Sequence, residues 1–212
     1  MKSLISVPEE IVQFLSQKDG VSLMVKGAPG TGKSILVLSI IKVLGLTESF
    51  YLTTRVKPQK LVSDLPWIRD ILPCEHIIDA TTTIIPTKAD VEGKISFGLL
   101  KYADKPSLLR SLYELIEKVE NPFIVIDSIE AIQRVAGEEI FSDLLNLCRE
   151  LNSKVIFVSE YEETRKYDYL VDGVILLKRY IIEGKTLRFM QIEKLRGISC
   201  RNPQYLFTLH AG

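Results

Sequence analysis

The sequence predicts an α/β fold, a mainly parallel sheet flanked by helices on both faces and extended by a C-terminal antiparallel hairpin. Three observations predict it. Short apolar runs of strand length alternate with helical patterns through most of the chain, as they do when parallel strands are joined by crossover helices. A glycine-rich loop connects one of those strands directly to a helix. The last two apolar runs lie on either side of Glu183-Gly184-Lys185, which reads as the turn of a hairpin appended to the sheet.

Each element has a local reason. Pro8-Glu9-Glu10 opens an amphipathic helix, with proline at an allowed first-turn position and acids near the positive helix end. Ile11, Val12, Phe14 and Leu15 supply its apolar surface and Gly20 marks its end. VSLMVKG, from Val21 to Gly27, is a buried strand, and the largely apolar run from Ser34 to Leu44 is a helix. FYLTT is a second strand, PQKLVSDL a short helix and HIIDA a third strand. Further on come the helix SLLRSLYELIEKV, the strand PFIVIDS, the helix EEIFSDLLNLCREL and the strand KVIFVSE. Between Ala80 and Pro106 the pattern is least legible, and ISFGLL within it fits a packed strand or helix turn as well as a loop.

With 212 residues, 46% of them hydrophobic, the chain suits one globular domain spanning 1–212. Its 27 basic and 27 acidic residues cancel, so no global charge draws it to nucleic acid or anionic lipid. Cys74, Cys148 and Cys200 are widely spaced, lack a CxxC, and have only His76 and His210 as imidazole company. They read as reduced thiols of a cytoplasmic protein. No apolar run approaches the ~20 residues of a membrane span.

The chemistry begins at GAPGTGKS: Gly27, Ala28, Pro29, Gly30, Thr31, Gly32, Lys33 and Ser34 satisfy GxxxxGK[ST] between a strand and a helix. Such a loop turns successive N–H groups toward one anion, and the helix start adds its positive dipole end. Lys33 would reach the β- and γ-phosphates of a nucleotide, and Ser34 a bridging magnesium ion. Asp127, where the apolar run of FIVIDS ends, is placed to hold that ion through water, although strand-ending aspartates also serve as helix caps. Ser128 is a candidate helix cap or magnesium partner.

GAPGTGKS, FIVIDSIEAI, YLVDGVILLKR and IEKLRGISCRNPQYLFTLHAG together resemble the RecA superfamily of P-loop ATPases, and within it the KaiC-like and RadA-like single-domain proteins. The resemblance runs from Val21 onward. It implies ATP and magnesium as cofactors and a homo-oligomeric ring or filament. Lys194 and Arg196, in the family's K-x-R-G pattern, would act in trans on the γ-phosphate held by a neighbouring subunit. The chain departs from the family twice. EEIVQFLSQKDG stands where relatives carry a segment like GLDELLGGGIPRG, and Arg55 and Val56 stand where they carry a pair of glutamates.

Arginine accepts no proton, so this strand exit lacks the base that would activate water. The sequence therefore reads as an ATP-dependent switch or assembly protein with weak or absent hydrolysis, at most a slow ATPase, with room for a protein partner. Two alternatives remain open. Glu160, closing VIFVSE, could serve as a displaced base, whereas Glu130 falls in a helix and faces away. A single-stranded DNA-binding role is less favoured, because SIEAIQRVAGEE and EYEETRKYDY read as connecting loops of nearly balanced charge. Their Tyr161, Tyr167 and Tyr169 read as packing and turn residues.

Overall fold

The computed structural model describes residues 7–46, 48–81, 97–100, 102–162 and 165–209. Their strands are β1 (Ser22–Gly27), β2 (Ser49–Thr53), β3 (Ile77–Asp79), β4 (Gly98–Leu99), β5 (Phe123–Asp127), β6 (Lys154–Ser159), β7 (Gly173–Ile182), β8 (Lys185–Leu195) and β9 (Gln204–Phe207). All belong to one sheet of order β4-β3-β2-β5-β6-β1-β7-β8-β9. Every pairing from β4 to β7 is parallel, while β7–β8 and β8–β9 are antiparallel. Helices α1 (Glu9–Leu15), α2 (Lys33–Leu44) and α3 (Pro58–Asp64) pack on one face; α4 (Lys105–Ile116), α5 (Ile129–Ala136) and α6 (Ile140–Glu150) pack on the other.

The strands are apolar without interruption because each of their two faces meets a helix layer. On β5, Phe123 and Val125 join the core beneath α2, whereas Ile124 and Ile126 join the core beneath α4 to α6. On β1, Leu23 and Val25 face the first layer and Met24 the second. This period of two fixes where Asp127 goes: two residues beyond Val125, it emerges on the α2 face.

Two features differ from the sequence reading, and two that it left open are resolved. β9 extends the expected hairpin to a third antiparallel strand, which its short, half-exposed QYLF run does not announce; Tyr205 on it donates to Glu10 of α1 at 2.7 Å. SIEAIQRVAGEE, which reads as a connecting loop although its Glu130 is expected in a helix, contains α5, whose Ile129 and Ile132 are buried. Helix α1 stops at Leu15 rather than running to Gly20. ISFGLL contributes only the two-residue β4 at the sheet edge, paired with β3, and its first two residues lie outside the described residues.

Ile156, 0% exposed on β6, lies in the α2-side core. Its replacement by alanine is expected to cost about 2–5 kcal/mol in urea unfolding, the usual cavity penalty. Ile181→Ala, at a side chain 72% exposed near the hairpin tip, should stay within ~0.5 kcal/mol.

Candidate functional site

The carboxyl ends of β1, β2, β5 and β6 open on the same edge of the sheet, where open α/β sheets hold their ligands. From β1 the chain enters the phosphate loop at Gly27, where a Cβ would lie 2.4 Å from the Leu177 carbonyl oxygen of β7, so only glycine fits. Thr31 Oγ1 donates to the Ala28 carbonyl at 2.9 Å and closes the loop. Lys33 folds back along it, its Nζ donating to the carbonyls of Gly27 at 2.6 Å and Ala28 at 3.1 Å. Burial pulls the Lys33 ammonium below the ordinary lysine range, partly offset by the charges of Asp127 and Glu130.

Asp127 emerges beside this loop. Its Oδ2 accepts from Ser34 Oγ at 2.6 Å and from Tyr51 Oη at 2.5 Å. Ser34 and Asp127 thus form an all-oxygen pair of the kind that completes the shell of a hard cation sharing its other ligands with phosphate and water. Tyr51 is 1% exposed, and burial, followed by the charge of Asp127, holds its phenol well above the usual tyrosine range. Behind them β2 and β5 are stitched together: Thr54 N–H donates to the Asp127 carbonyl at 2.7 Å, and Ser128 N–H to Thr54 Oγ1 at 2.6 Å. Ser128 precedes α5 but its buried hydroxyl makes no cap bond; Thr54 holds its backbone through both the N–H and the carbonyl.

Three carboxylates approach the loop. Glu160, at the exit of β6, forms an ion pair with Arg55, at the exit of β2. Glu130 does lie in a helix, but it does not face away. It is 8% exposed and accepts from Ser159 Oγ at 2.5 Å and from Glu160 N–H at 3.0 Å, supporting the β6 exit from below. Glu162 accepts from the Ala28 N–H at 3.1 Å, placing a carboxylate directly on the phosphate loop. Val56 contributes only its carbonyl, which accepts from Thr53 Oγ1.

Lys194 and Arg196 lie elsewhere. Val174, opposite Lys194, is level with Met24, and Arg196 N–H bonds the Asp172 carbonyl where β1 begins. Since β1 has six residues, Arg196 stands roughly 16 Å along the strand from the phosphate loop, at ~3.3 Å per residue. Within the subunit, Lys194 Nζ donates to the carbonyls of Asp168 and Val171, and Arg196 pairs with Asp172 at 3.0 Å.

The family profile described as "ATPase: KaiC" matches residues 17–211. The chain belongs to the KaiC family of ATPases. It is therefore a RecA-like P-loop protein, of a family that binds ATP and whose members commonly oligomerise. Protein GvpD1 of Halobacterium salinarum is 28% identical over 225 residues, a match covering 99% of this chain and 40% of that protein. The circadian clock oscillator protein KaiC 1 of Synechocystis is 22% identical over 209 residues, covering 90% of this chain and 39% of its own length. The chain thus spans about 40% of the length of these curated relatives. Among solved structures, a KaiC-like protein from Pyrococcus horikoshii superposes with a TM-score of 0.66 at 20% identity, over 90% of this chain and 86% of that one.

Within this KaiC-family framework the phosphate loop, Ser34 and Asp127 come together, while Arg196 stands at the far end of β1 and Lys194 level with its middle, two strands across the sheet. Tyr51 and Glu162 were missed. Tyr51 was hidden in a strand that reads as apolar packing, though its two-residue spacing puts it on the α2 face with Asp127. Glu162 has no pattern in the sequence that points to the loop. Lys26, inside the apolar run of β1, is 2% exposed and bracketed by Asp168 at 2.6 Å and Glu193 at 3.0 Å. Tyr167 packs as expected, stacked on Phe141 with its hydroxyl accepting from Gln133, whereas Tyr161 and Tyr169 are exposed. The three cysteines are free; burial pushes the Cys148 thiol up to about 12. No helix among the described residues is long and apolar enough to cross a membrane.

Tyr51→Phe preserves volume and removes one donor from the half-buried Asp127 carboxylate. Urea unfolding at neutral pH should reveal a loss of about 1–3 kcal/mol, as for a hydrogen bond to a charged group; an unchanged midpoint and slope would mean that the hydroxyl does not hold Asp127.

Proposed function

We propose that this KaiC-family chain binds ATP with magnesium between subunits and acts as a nucleotide-dependent switch or assembly protein that hydrolyses ATP slowly. The observation that carries this reading is the Arg55–Glu160 ion pair. A base that activates water must be free to accept a proton, and general-base assistance is typically worth ~10²–10⁴-fold in rate. Arg55 cannot accept one, and Glu160, the nearest substitute by sequence, is engaged by Arg55 itself. Binding does not need that base: the phosphate loop and Lys33 supply it, with Ser34 and Asp127 as the magnesium-side residues. Arg196 stands at the opposite end of β1 from its own loop, and Lys194 lies on β8 with β7 between it and β1, its ammonium held by the Asp168 and Val171 carbonyls; this favours contact with the γ-phosphate of a neighbour in a homo-oligomer.

A second reading, an active ATPase with Glu160 as base, rests on the exposure of the pair. The side chains of Arg55 and Glu160 are 45% and 27% exposed, so solvent screens their attraction, and ion pairs at the surface are worth only about 0–1 kcal/mol. Arg55 could therefore release Glu160 at little cost.

Steady-state phosphate release and calorimetry separate the two. The unmodified protein should turn over well below ~1 s⁻¹, under the range of ordinary enzymes. Arg55→Glu should raise the rate without tightening ATP binding, because a base acts on the water in the transition state. Turnover near or above ~1 s⁻¹ that collapses in Glu160→Gln would replace the switch reading with the second one.

Light scattering tests the interface. ATP or a non-hydrolysable analogue should give a larger species than ADP does, because only ATP offers a γ-phosphate for Lys194 and Arg196 to bridge. Arg196→Ala should abolish the difference, and a single mass in every nucleotide state would remove the interface from the proposal.

A further inference from the structure

Strand β7 runs beside β1 with Leu177 opposite Gly27, so its next residues pass the phosphate loop. Ile175 and Leu177 lie in the α2-side core. Arg179, two residues further, continues that face beyond the last paired residue of β1, where the loop crosses. The contact is close: a Cβ built on Gly30, whose φ is +78°, would sit 3.2 Å from an Arg179 guanidinium nitrogen. A glycine at the crest of the loop thus leaves room for a guanidinium against it.

The same strand pair adds a second cation. Arg188 of β8 lies directly opposite Arg179. Directly opposed residues share a face, and like charges so placed repel unless an anion stands between them. No carboxylate pairs with either arginine among the described residues. Arg188 Nε is buried without a hydrogen-bond partner. Two guanidinium groups without a counter-ion, one of them resting on a phosphate loop, form an arrangement that a polyphosphate would complete.

We propose that Arg179, backed by Arg188, is a second cationic contact for the phosphate chain of the nucleotide, supplied by the same subunit that supplies the loop. This rests on the reading that the loop holds ATP. It assigns the hairpin a role in binding that is distinct from the γ-phosphate contact proposed for Lys194 and Arg196, because it requires no neighbour.

Calorimetric titrations with ATP and with inorganic pyrophosphate test it, at a protein concentration where light scattering reports a monomer. Arg179→Met should weaken both ligands about tenfold, the loss of one charge-assisted contact. Arg179→Lys should retain more of the affinity than Arg179→Met, and the melting temperature of both variants should match the parent, since Arg179 is exposed. Wild-type affinity in Arg179→Met, with binding lost in Lys33→Ala, overturns this inference and leaves the ATP reading standing. Wild-type affinity in Lys33→Ala removes the ATP reading and this inference with it. A weakening that appears only in the oligomer, or that accompanies a lowered melting temperature, also overturns it.

Discussion

Asp127 Oδ2 accepts hydrogen bonds from two hydroxyls, that of Ser34 at the start of α2 and that of Tyr51 in β2, and so joins three stretches of chain at one carboxylate. The arrangement is possible only because β1, β2, β5 and β6 end at the same edge of the sheet with Asp127 and Tyr51 on the same face. The carboxylate is half-buried, and two hydroxyl donors occupy lone pairs that burial would otherwise leave unpaired at a cost. The carboxylate stands near Lys33, whose ammonium it helps to keep charged against burial. The bonds from Thr54 to the Asp127 and Ser128 backbone then fix the β2 exit, and with it the position of Arg55.

Charge is distributed along β1 in a way that net composition conceals. At the loop end stand Lys33, Arg179, Glu162 and the Arg55–Glu160 pair; Arg196 stands at the opposite end, and Lys194, on β8, is level with Met24. Between them, Lys26 donates to the Asp168 carboxylate while Lys194 donates to the Asp168 backbone carbonyl. One residue of the β6–β7 connection thus touches both the strand that feeds the phosphate loop and a cation of β8. Lys26 is buried, but two carboxylates face it, which removes most of the penalty of an isolated interior charge.

The sequence alone determined the α/β class, the phosphate loop and Asp127 at a strand end, because these are set by local rules. Burial on both faces forces continuous apolar strands, and a nest of backbone N–H groups forces glycines at set spacing. The hairpin around Glu183-Gly184 was legible for the same reason. The third antiparallel strand was not: QYLF is short and half-exposed, and its place depends on pairing with β8 and on Tyr205 meeting Glu10 at the other end of the chain.

Only the tertiary structure decided which charges meet. Arg55 and Glu160 are separated by more than a hundred positions and each ends a different strand; their pairing follows from the strand order, in which β5 alone separates β2 from β6. Glu130 was placed correctly in a helix, yet its direction was misjudged, since the rotation of α5 is set by packing Ile129 and Ile132 into the sheet. Glu162 on Ala28 and Arg179 on Gly30 depend on the parallel register of β1 with β6 and β7. A motif records what one stretch of backbone can do, whereas ion pairs between strand ends depend on the order and stagger of the sheet, which no single stretch contains.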